Sequence, residues 1–254
     1  MQIATWNVNS VRARLERVLP WLEARRPDVV CLQEIKCQDE QFPREPFEEL
    51  GYQLAVYGQK TYNGVAILSR RRIESVVRGL VGDGEGAEAR AIACQVDDIL
   101  LLNLYVVNGE KVGSEKFAKK LGWLERLHAT VAERFPMTEK VVLCGDFNVT
   151  FDDRDVYDPE EWREKILCST PEREGLGKVM RLGLHDALRK FDANPGIYTW
   201  WDFRTRGFER GLGLRIDHFL MSASALDACR GIEVDLDARR GAKPSDHAPV
   251  LATF

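Results

Sequence analysis

The sequence predicts an α/β fold in which sheets are covered by helices, with α+β as the alternative. Short apolar runs bounded by turn residues recur along the chain, and fewer stretches with helical periodicity lie between them. No linker, low-complexity tract or break in composition divides the chain. At 254 residues the chain is near the upper end for one domain and ample for a buried core. We therefore predict a single domain over residues 1–254.

The predicted strands are short apolar segments, most of which end at a polar or turn residue. They are MQIATWNV (1–8), PDVVCLQE (27–34), GVAILSR (64–70), RAIACQV (90–96), ILLLNLYVV (99–107), KVVLCGDFN (140–148), LRIDHFLMS (214–222) and APVLATF (248–254).

Three stretches are predicted to be helical. Apolar residues recur at helical spacing from Val11 to Leu22, although Pro20 should kink or interrupt that helix. A second helix is predicted from Phe117 through Val131, and a third opens at 170–171, where a cap residue precedes proline. The glycine-rich, acidic segment 81–89 is predicted to be a flexible turn.

Composition limits the class of protein. There is no basic and apolar leader, and no apolar run approaches the ~20 residues that span a bilayer. Six scattered cysteines with no CxxC pair favour reduced thiols in the cytoplasm and argue against a zinc site. The net charge is −4, so any basic surface for nucleic acid must be local.

Polar side chains stand at the ends of the predicted strands. Any one of them has an ordinary explanation, because Asn and Asp favour strand exits, where they hydrogen-bond their own backbone. The joint pattern is harder to explain that way, because loops at one end of a sheet converge in space. The set is Asn7, Glu34, Asp146, Asn148, Asp217, Asp246 and His247. The other histidines, His128, His185 and His218, are predicted to be structural.

Four converging carboxylates would repel one another without a cation. Oxygen ligands without thiols suit a hard ion, Mg²⁺ or Mn²⁺, and Mg²⁺ usually takes one or two protein carboxylates and keeps sites for waters. The remaining acids are then free for proton transfer, and an Asp217–His247 pair would fix the imidazole tautomer and favour its charged form. No Ser or Cys nucleophile is evident. The set therefore indicates phosphoryl transfer with water as the attacking group.

Eight segments together resemble the exodeoxyribonuclease III family of abasic-site endonucleases, within the endonuclease/exonuclease/phosphatase superfamily. GDFN or SDHAP alone is moderately specific, and the ordered series from the first strand to the last is very specific. The segments are TWNVNSVRARL, VVCLQEIKCQDEQFP, NGVAILSR, NLYVVNGE, GDFNVTFDDRDVYDP, YTWWDFR, GLRIDHFLMS and KPSDHAPV.

The resemblance implies a four-layered α/β sandwich, with two mixed β-sheets face to face and helices outside. It also implies a DNA repair hydrolase that uses Mg²⁺ or Mn²⁺ and cleaves phosphodiester bonds at abasic sites and at 3′ ends of duplex DNA. Its partner would be double-stranded DNA with abasic sites, nicks or 3′ ends. The protein would be a monomer, and no membrane would be among its partners.

The resemblance further implies roles for individual residues. Glu34 would be the principal metal ligand, with Asn7 nearby and Asp246 supporting it. Asp146 would orient or deprotonate the attacking water, with Asn148 beside it, both close enough to be counted with the metal ligands. Two further residues would act on the phosphate: His247, paired with Asp217, and Tyr105, which would touch the phosphate or the leaving oxygen.

The residues expected to contact DNA are more scattered. Trp200, Leu214 and Ile216 fall where family members form an apolar pocket for a sugar without its base. Arginines interleaved with aromatic residues suit backbone contact with stacking or insertion at a distorted base step. The basic and polar candidates are Arg70, Asn108, Arg204, Arg206 and Arg210, with Phe208 as the aromatic one, and Arg215 belongs to the same run.

Three positions depart from the family pattern. Val107 stands where proline is usual, which loosens that turn, and Gly211 stands where Asn is frequent, which puts one backbone contact in doubt. Tyr157 stands where His or a small residue is common. A phenol there, if it points into the groove, would obstruct a continuing strand and stack on a terminal one, favouring 3′-end processing over internal incision. The alternative is that Tyr157 packs against its own loop.

Two rival functions remain open from the sequence. A phosphatase or phosphodiesterase of the same superfamily acting on a lipid or inositol phosphate would share GDFN and SDH, but the arginine and aromatic loop favours DNA. A catalytically inactive DNA-binding module would tolerate losses among the acids, and none is lost.

Overall fold

The computed structural model describes residues 1–254 and contains fourteen strands and eight α-helices. The strands are β1 Gln2–Asn7, β2 Val29–Gln33, β3 Gln53–Tyr57, β4 Val65–Ser69, β5 Glu74–Arg78, β6 Ala91–Val96, β7 Ile99–Tyr105, β8 Lys140–Asp146, β9 Leu184–Asp186, β10 Trp200–Trp201, β11 Gly213–Leu214, β12 Asp217–Ser222, β13 Gly231–Val234 and β14 Val250–Thr253. The helices are α1 Leu15–Arg25, α2 Arg44–Glu49, α3 Glu115–Arg134, α4 Pro159–Trp162, α5 Thr170–Met180, α6 Ala187–Phe191, α7 Gly207–Arg210 and α8 Ala223–Ala228.

Two six-stranded sheets and one two-stranded ribbon organise these elements. The first sheet has the order β13-β14-β1-β2-β4-β3, and the second has the order β5-β6-β7-β8-β12-β9. Each has one parallel pair at its centre, β1 with β2 and β7 with β8, and antiparallel pairs elsewhere. Both sheets are therefore mixed, as expected.

Three apolar clusters show how the layers stack. Strand β8 illustrates the pattern, because successive side chains of a strand point to opposite faces. Val142 and Cys144 lie in a cluster with residues of the first sheet, so this cluster fills the space between the sheets. Val141 and Leu143 instead join a cluster with Leu127 of α3 and Leu176 of α5.

A matching cluster covers the outer face of the first sheet. There, Ala4 of β1 and Leu32 of β2 pack with Leu22 of α1 and Phe47 of α2. The order of layers is thus helices, sheet, sheet, helices. The predicted four-layered α/β sandwich is confirmed.

The predicted helices are present with shifted boundaries. Helix α1 begins at Leu15, because residues 11–14 form turns, and it continues past Pro20. The third helix does begin at Thr170, but Ser169 is the cap residue, and its backbone N–H donates to Glu172 of the first turn at 3.1 Å.

Four strands of the two large sheets were not predicted from the sequence: β3, β5, β9 and β13. Each lies at the edge of its sheet, where one flank is unpaired and the apolar run is weaker. No helix in the structure is both long enough and apolar enough to cross a membrane.

Candidate active site

The predicted polar residues meet at one end of the two sheets. Asn7 closes β1, Glu34 follows β2, Tyr105 closes β7 and Asp146 closes β8, so four central strands deliver them to the same edge. Strand β12 is antiparallel to β8 and starts at Asp217, which is paired directly with Asp146. Residues 245–247 arrive just before β14, beside the end of β1.

The backbone around Asp146 has a conformation that only certain residues allow. Gly145 has φ +141°, and a Cβ at this position would lie 1.9 Å from the carbonyl oxygen of Leu104, so glycine is required there. Asn148 is left-handed with φ +49°, and its backbone N–H donates to Asp146 Oδ1 at 2.9 Å. This is why an acid and an amide two residues apart face the same point.

Asn7 joins the two sheets at the site. Its side-chain Nδ2 donates to Glu34 Oε1 and to Asp146 Oδ2, each at 2.9 Å. Glu34 Oε2 also pairs with Lys36 Nζ at 2.8 Å. Burial alone would raise the pKa of Glu34, but the charge and hydrogen bond of Lys36, the hydrogen bond from Asn7 and the charge of His247 together lower it, so Glu34 is ionised.

His247 and Asp217 form a buried pair. His247 Nδ1 lies 2.8 Å from Asp217 Oδ2, and His247 Nε2 lies 3.7 Å from Asp146 Oδ2. Burial opposes the charged imidazole, but the charges of Asp217 and Asp146 outweigh burial and raise the pKa of His247 to about 10. Burial raises the pKa of Asp146 to about 7, although the charge of His247 acts against that shift.

Asp246 is held by two donors, Asn9 Nδ2 at 2.9 Å and Trp200 Nε1 at 3.1 Å. Burial would raise its pKa, but the charge of His247 and these two donors lower it, so Asp246 is also ionised. Its position beside Asn9, on the same segment as Asn7, places a further ionised carboxylate at the rim of the site.

Asn148 and Asn108 extend the site toward the end of β7. Asn108 Nδ2 donates to Asn148 Oδ1 at 2.9 Å, and Asn148 Nδ2 donates to the carbonyl of Val106 at 3.0 Å and to Asp146 Oδ2 at 3.2 Å. Asn108 therefore lies beside Asn148, although Val107 stands where the family usually has proline.

Tyr105 lies beside Glu34 and Asp146 with its ring against a cation. Arg90 Cζ is 4.6 Å from the ring centroid. Burial, followed by the charges of Glu34 and Asp146, raises the pKa of Tyr105 well above its ordinary value. The phenol is therefore neutral and can donate a hydrogen bond.

The carboxylate oxygens of Glu34 and Asp146 suit a hard divalent cation. Asn7 faces both carboxylates with its amide Nδ2, while its Oδ1 accepts the N–H of Asn9, so Asn7 fixes the two acids at this corner. Atoms of Asp146, Asp217 and His247 also lie within 4.8 Å of one another, but a protonated imidazole bonded to Asp217 repels a cation there. Asp217 Oδ1 is buried and makes no hydrogen bond to another group of the protein.

Leu214 and Ile216 do not line an open pocket. Both side chains are fully buried in a small cluster with Val156, Leu167 and Cys168, because β11 and the segment before β12 face inward there. They have no exposed surface for DNA, which corrects the prediction of direct contact. Trp200 is half-buried at the edge of this cluster and remains accessible.

Two predicted arginines lie elsewhere. Arg70 is at the opposite end of the first sheet, because its N–H bonds the carbonyl of Asp28 ahead of β2, whereas Glu34 follows that strand. Arg215 is buried and paired with Asp155 and Asp186. Neither is placed to contact DNA at the site, since one lies at the wrong end of the sheet and the other is enclosed.

The remaining arginines project from the loop after β10. Arg204, Arg206 and Arg210 are all exposed, and Arg204 pairs only with Asp202 of its own loop. Phe208 packs edge-on against Trp201 with ring centroids 5.0 Å apart. The loop is tied to the site because the N–H of Trp201 donates to the carbonyl of Asp246 at 3.1 Å.

Arg239 supports this loop from below, although no pattern in the sequence indicated it. Its guanidinium lies 4.9 Å from the ring centroid of Phe208 and 5.6 Å from that of Trp201, and it donates to the carbonyl of Ser245. Other unpredicted residues at the site are Asn9, Lys36, Arg90 and Lys120. The segments WNVNS and QEIK contained the first two, but only the fold shows which acid each one reaches.

Tyr157 is half-buried beside the same apolar cluster. Its hydroxyl donates to Glu161 at 3.0 Å, and its ring meets Trp162 edge-on at 6.3 Å. Tyr157 N–H donates to the carbonyl of Gly213, so the segment runs alongside β11 and the start of β12. The ring thus packs against its own loop on one side while part of it remains exposed.

Comparison with known proteins agrees with this architecture. The sequence profile described as "Endonuclease/Exonuclease/phosphatase family" matches residues 4–247. Exodeoxyribonuclease III of Haemophilus influenzae is 34% identical over the full length of both chains. The chain belongs to the endonuclease/exonuclease/phosphatase family.

Two solved structures are very similar to this one. The 3′ phosphatase NExo from Neisseria, bound to a product DNA hairpin, superposes with a TM-score of 0.97 at 43% identity, covering 100% of this chain and 99% of that one. An AP endonuclease from Archaeoglobus fulgidus superposes with a TM-score of 0.96 at 39% identity, with the same coverage. Within the family, the chain is a hydrolase of the exodeoxyribonuclease III type, so the lipid phosphatase alternative is set aside.

Proposed function

We propose that this protein is a divalent-metal-dependent DNA repair nuclease that hydrolyses phosphodiester bonds at abasic sites and at 3′ ends of duplex DNA. The observation that carries the proposal is the position of Asp146. It lies between the Asn7–Glu34 corner and the His247–Asp217 pair, 2.9 Å from Asn7 Nδ2 and 3.7 Å from His247 Nε2. A phosphate placed there meets a proton acceptor and a cationic donor together.

Glu34 and the near oxygen of Asp146 would hold Mg²⁺ or Mn²⁺, with Asn7 nearby to fix both carboxylates. Asp246 would support this corner from Asn9. The bound ion would supply charge neutralisation for the phosphate oxygens. The fit rests on the oxygen donors and on the ionised state of Glu34 and Asp246, whose pKa values are both lowered.

Asp146 is the proposed general base. Its pKa of about 7 lies near a neutral working pH, where a base combines an ionised fraction with real proton affinity. Asn148 donates to both oxygens of Asp146 and so fixes the direction in which the carboxylate accepts the proton of water. The proton passes from water to Asp146 as the water oxygen bonds to phosphorus. The bond between phosphorus and the leaving oxygen breaks, and that oxygen keeps the electron pair and is then protonated by solvent.

His247 is the proposed stabiliser of the developing phosphate charge. With Nδ1 engaged by Asp217, Nε2–H is left to donate toward a phosphate oxygen, and the imidazolium adds its positive charge. Tyr105, kept neutral by burial and neighbouring acids, would donate to the phosphate or to the leaving oxygen. Asn108 would contact the phosphate beside Asn148.

DNA is proposed to lie across the loop after β10. Arg204, Arg206 and Arg210 would meet backbone phosphates, while Trp200 and Phe208 present aromatic surface. The two structural neighbours, a 3′ phosphatase and an AP endonuclease, support both substrate classes.

The six cysteines are free and buried, which favours a reducing cytoplasm.

We further propose that residues 1–254 act as one catalytic domain and as a monomer, because one chain supplies every residue of the site from Asn7 to His247. The test uses duplex oligonucleotides that carry one internal abasic site or one 3′-phosphate at a nick. Cleavage should require Mg²⁺ or Mn²⁺ and stop in chelator.

Asp146→Asn and His247→Ala should each lower kcat by at least ~10²-fold, and the double variant should fall short of the product of the two effects. Arg70→Ala, altered at the far end of the sheet, is the matched control and should keep wild-type rates. Activity of Asp146→Asn close to that of the wild type would overturn the assignment of the base.

A further inference from the structure

Lys120 is a buried cation directly beneath the site. Its side chain has no exposed surface, although it extends from α3, a long helix whose other face is solvated. Lysine is almost never fully buried unless it is paired, because an unpaired charge loses its hydration. The contacts of Lys120 therefore show what its charge is used for.

The ammonium group of Lys120 has three N–H donors, and it has three acceptors as partners. Nζ donates to the carbonyl of Asn148 at 2.6 Å, to the carbonyl of Asn108 at 3.1 Å, and to the carboxylate of Glu172. The stem of Lys120 passes under Gly109, where a Cβ would lie 3.0 Å from Lys120 Cδ. Two loops from different strand ends are thus fastened to one atom.

Both carbonyls belong to residues of the site. Asn148 has φ +49°, a left-handed conformation that costs a residue other than glycine free energy and persists only where its surroundings hold it. The bond from Lys120 to its carbonyl is one of those restraints. Asn148 in turn donates to Asp146 through its N–H at 2.9 Å and through Nδ2 at 3.2 Å.

Glu172 is already committed to its own helix. It accepts the N–H of Leu167 at 3.0 Å and the N–H of Ser169 at 3.1 Å, at the start of α5. These donors remain even without Lys120. Lys120, by contrast, is the group that reaches from the helical layer to the loops of the site.

We propose that Lys120 is a positioning residue for hydrolysis, which holds Asn148 and Asn108 so that Asp146 faces the attacking water. This inference rests on the proposed roles of Asp146 and Asn148. The competing explanation is that Lys120 and Glu172 only clamp α3 to α5, in which case activity should follow stability alone.

The test compares four variants on the 3′-phosphate nicked duplex, at saturating Mg²⁺ and well below the melting temperature of each. Lys120→Met removes the charge and keeps the length. Glu172→Gln removes the partner charge and leaves both carbonyl bonds of Lys120, and it sets an amide NH2 against N–H donors, so it controls for a loss of stability at this pair. Lys120→Met/Glu172→Gln removes both charges, so no buried charge is left to unfold the chain. Leu127→Ala, also on α3, opens a cavity without touching the loops.

We expect Lys120→Met and the double variant to lose about 10- to 100-fold in kcat, because a small misplacement of the base lowers the rate of the chemical step. KM should be unchanged, because the buried side chain of Lys120 does not touch DNA. Glu172→Gln and Leu127→Ala should keep most of their kcat despite lower melting temperatures. If the double variant keeps the kcat of Glu172→Gln, or if kcat falls in step with melting temperature across all four, Lys120 has no positioning role. Asp146→Asn is measured in parallel, so that this outcome can be told apart from failure of the proposed function. A fully active Asp146→Asn variant would show that Asp146 is not the general base.

Discussion

His247 Nδ1 lies 2.8 Å from Asp217 Oδ2, and this bond decides the charge of the site. Asp217 is itself fixed, because its backbone N–H donates to Thr199 Oγ1 at 3.1 Å. Both side chains are buried, so the attraction between them is little screened by water. The imidazole therefore stays protonated at neutral pH, with Nε2–H directed toward Asp146 and the position proposed for the phosphate.

The variant Asp217→Asn should lower kcat by about 10²-fold, because it removes the charge that keeps His247 protonated. It should also move the alkaline limb of the pH–rate profile to lower pH, from near 10 toward the ordinary value of 6.5. The pH dependence of kcat measures both effects. A variant with reduced kcat but an unmoved alkaline limb would show that Asp217 does not set the charge of His247.

The pKa values of the two buried histidines should be shifted in opposite directions in the metal-free protein. His247, with a pKa of about 10, should be charged at pH 7, whereas burial and then the charge of Arg215 lower the pKa of His218 to about 4, so it should be neutral. Since folding raises the pKa of His247, its stabilising contribution is complete below pH 6.5 and is lost as pH rises to 10. Imidazole ¹⁵N chemical shifts in a pH titration measure both residues, and a neutral His247 at pH 7 would contradict the expectation.

Glu34→Gln should raise the Mg²⁺ concentration needed for half-maximal activity, because it removes the ionised carboxylate from the proposed metal corner. DNA affinity measured in chelator should change little. Asp98→Asn is the matched control, since Asp98 precedes β7 and so lies at the end of the sheet opposite Tyr105. An unchanged Mg²⁺ requirement in Glu34→Gln would place the ion elsewhere.

DNA affinity should fall steeply with salt despite the net charge of −4. Replacing Arg204 or Arg210 by alanine should reduce the slope of log K against log[salt] by about 0.9 for each DNA phosphate that is no longer neutralised. Arg70→Ala should leave the slope as it is, because Arg70 is beside Asp28 at the far end of the first sheet. Equal slopes in all three variants would mean that DNA does not lie on the loop after β10.

Tyr157→Gly should increase internal abasic incision relative to 3′-end processing, because the ring is partly exposed and would obstruct a strand that continues past the site. Tyr157→Phe, which loses only the bond to Glu161, separates the bulk of the ring from its hydroxyl. The measurement is the ratio of rates on an internal abasic site and on a 3′-blocked nick. If Tyr157→Gly leaves that ratio unchanged, the ring only packs against Trp162.

Residues at the ends of central strands were predictable from the sequence because the strands themselves were. An apolar run that ends in an acid locates that acid at a sheet edge, and the β1–β2 and β7–β8 pairs bring the edges together. Glu34 and Asp146 obey this reasoning, and Asn7 does so as an amide. Asp217 starts its strand instead, and it reaches the same edge because β12 runs antiparallel to β8.

Residues outside that pattern could not be located by the same means. Arg70 and Arg204 both follow or flank apolar segments in arginine-rich runs, yet strand direction puts Arg70 at the wrong end. Arg215 sits among exposed arginines in sequence but is buried, because it pairs with the carboxylates of Asp155 and Asp186. Lys120 has the spacing of a solvated helical residue, and only the packing of α3 against two loops shows otherwise.

The site joins segments that are very far apart along the chain. Trp6 Nε1 donates to the carbonyl of His247 at 3.2 Å across 241 residues, and Ser245 Oγ donates to the carbonyl of Asn7 at 2.6 Å across 238 residues. Bonds this distant in sequence form slowly, because a long loop must be ordered before they close. His247, the residue proposed to bind the phosphate, therefore reaches the carboxylates only after most of the chain has been made and folded. If His247 acts as proposed, a nascent chain, or one cut ahead of Ser245, should not cleave DNA until the last segment of the chain is in place.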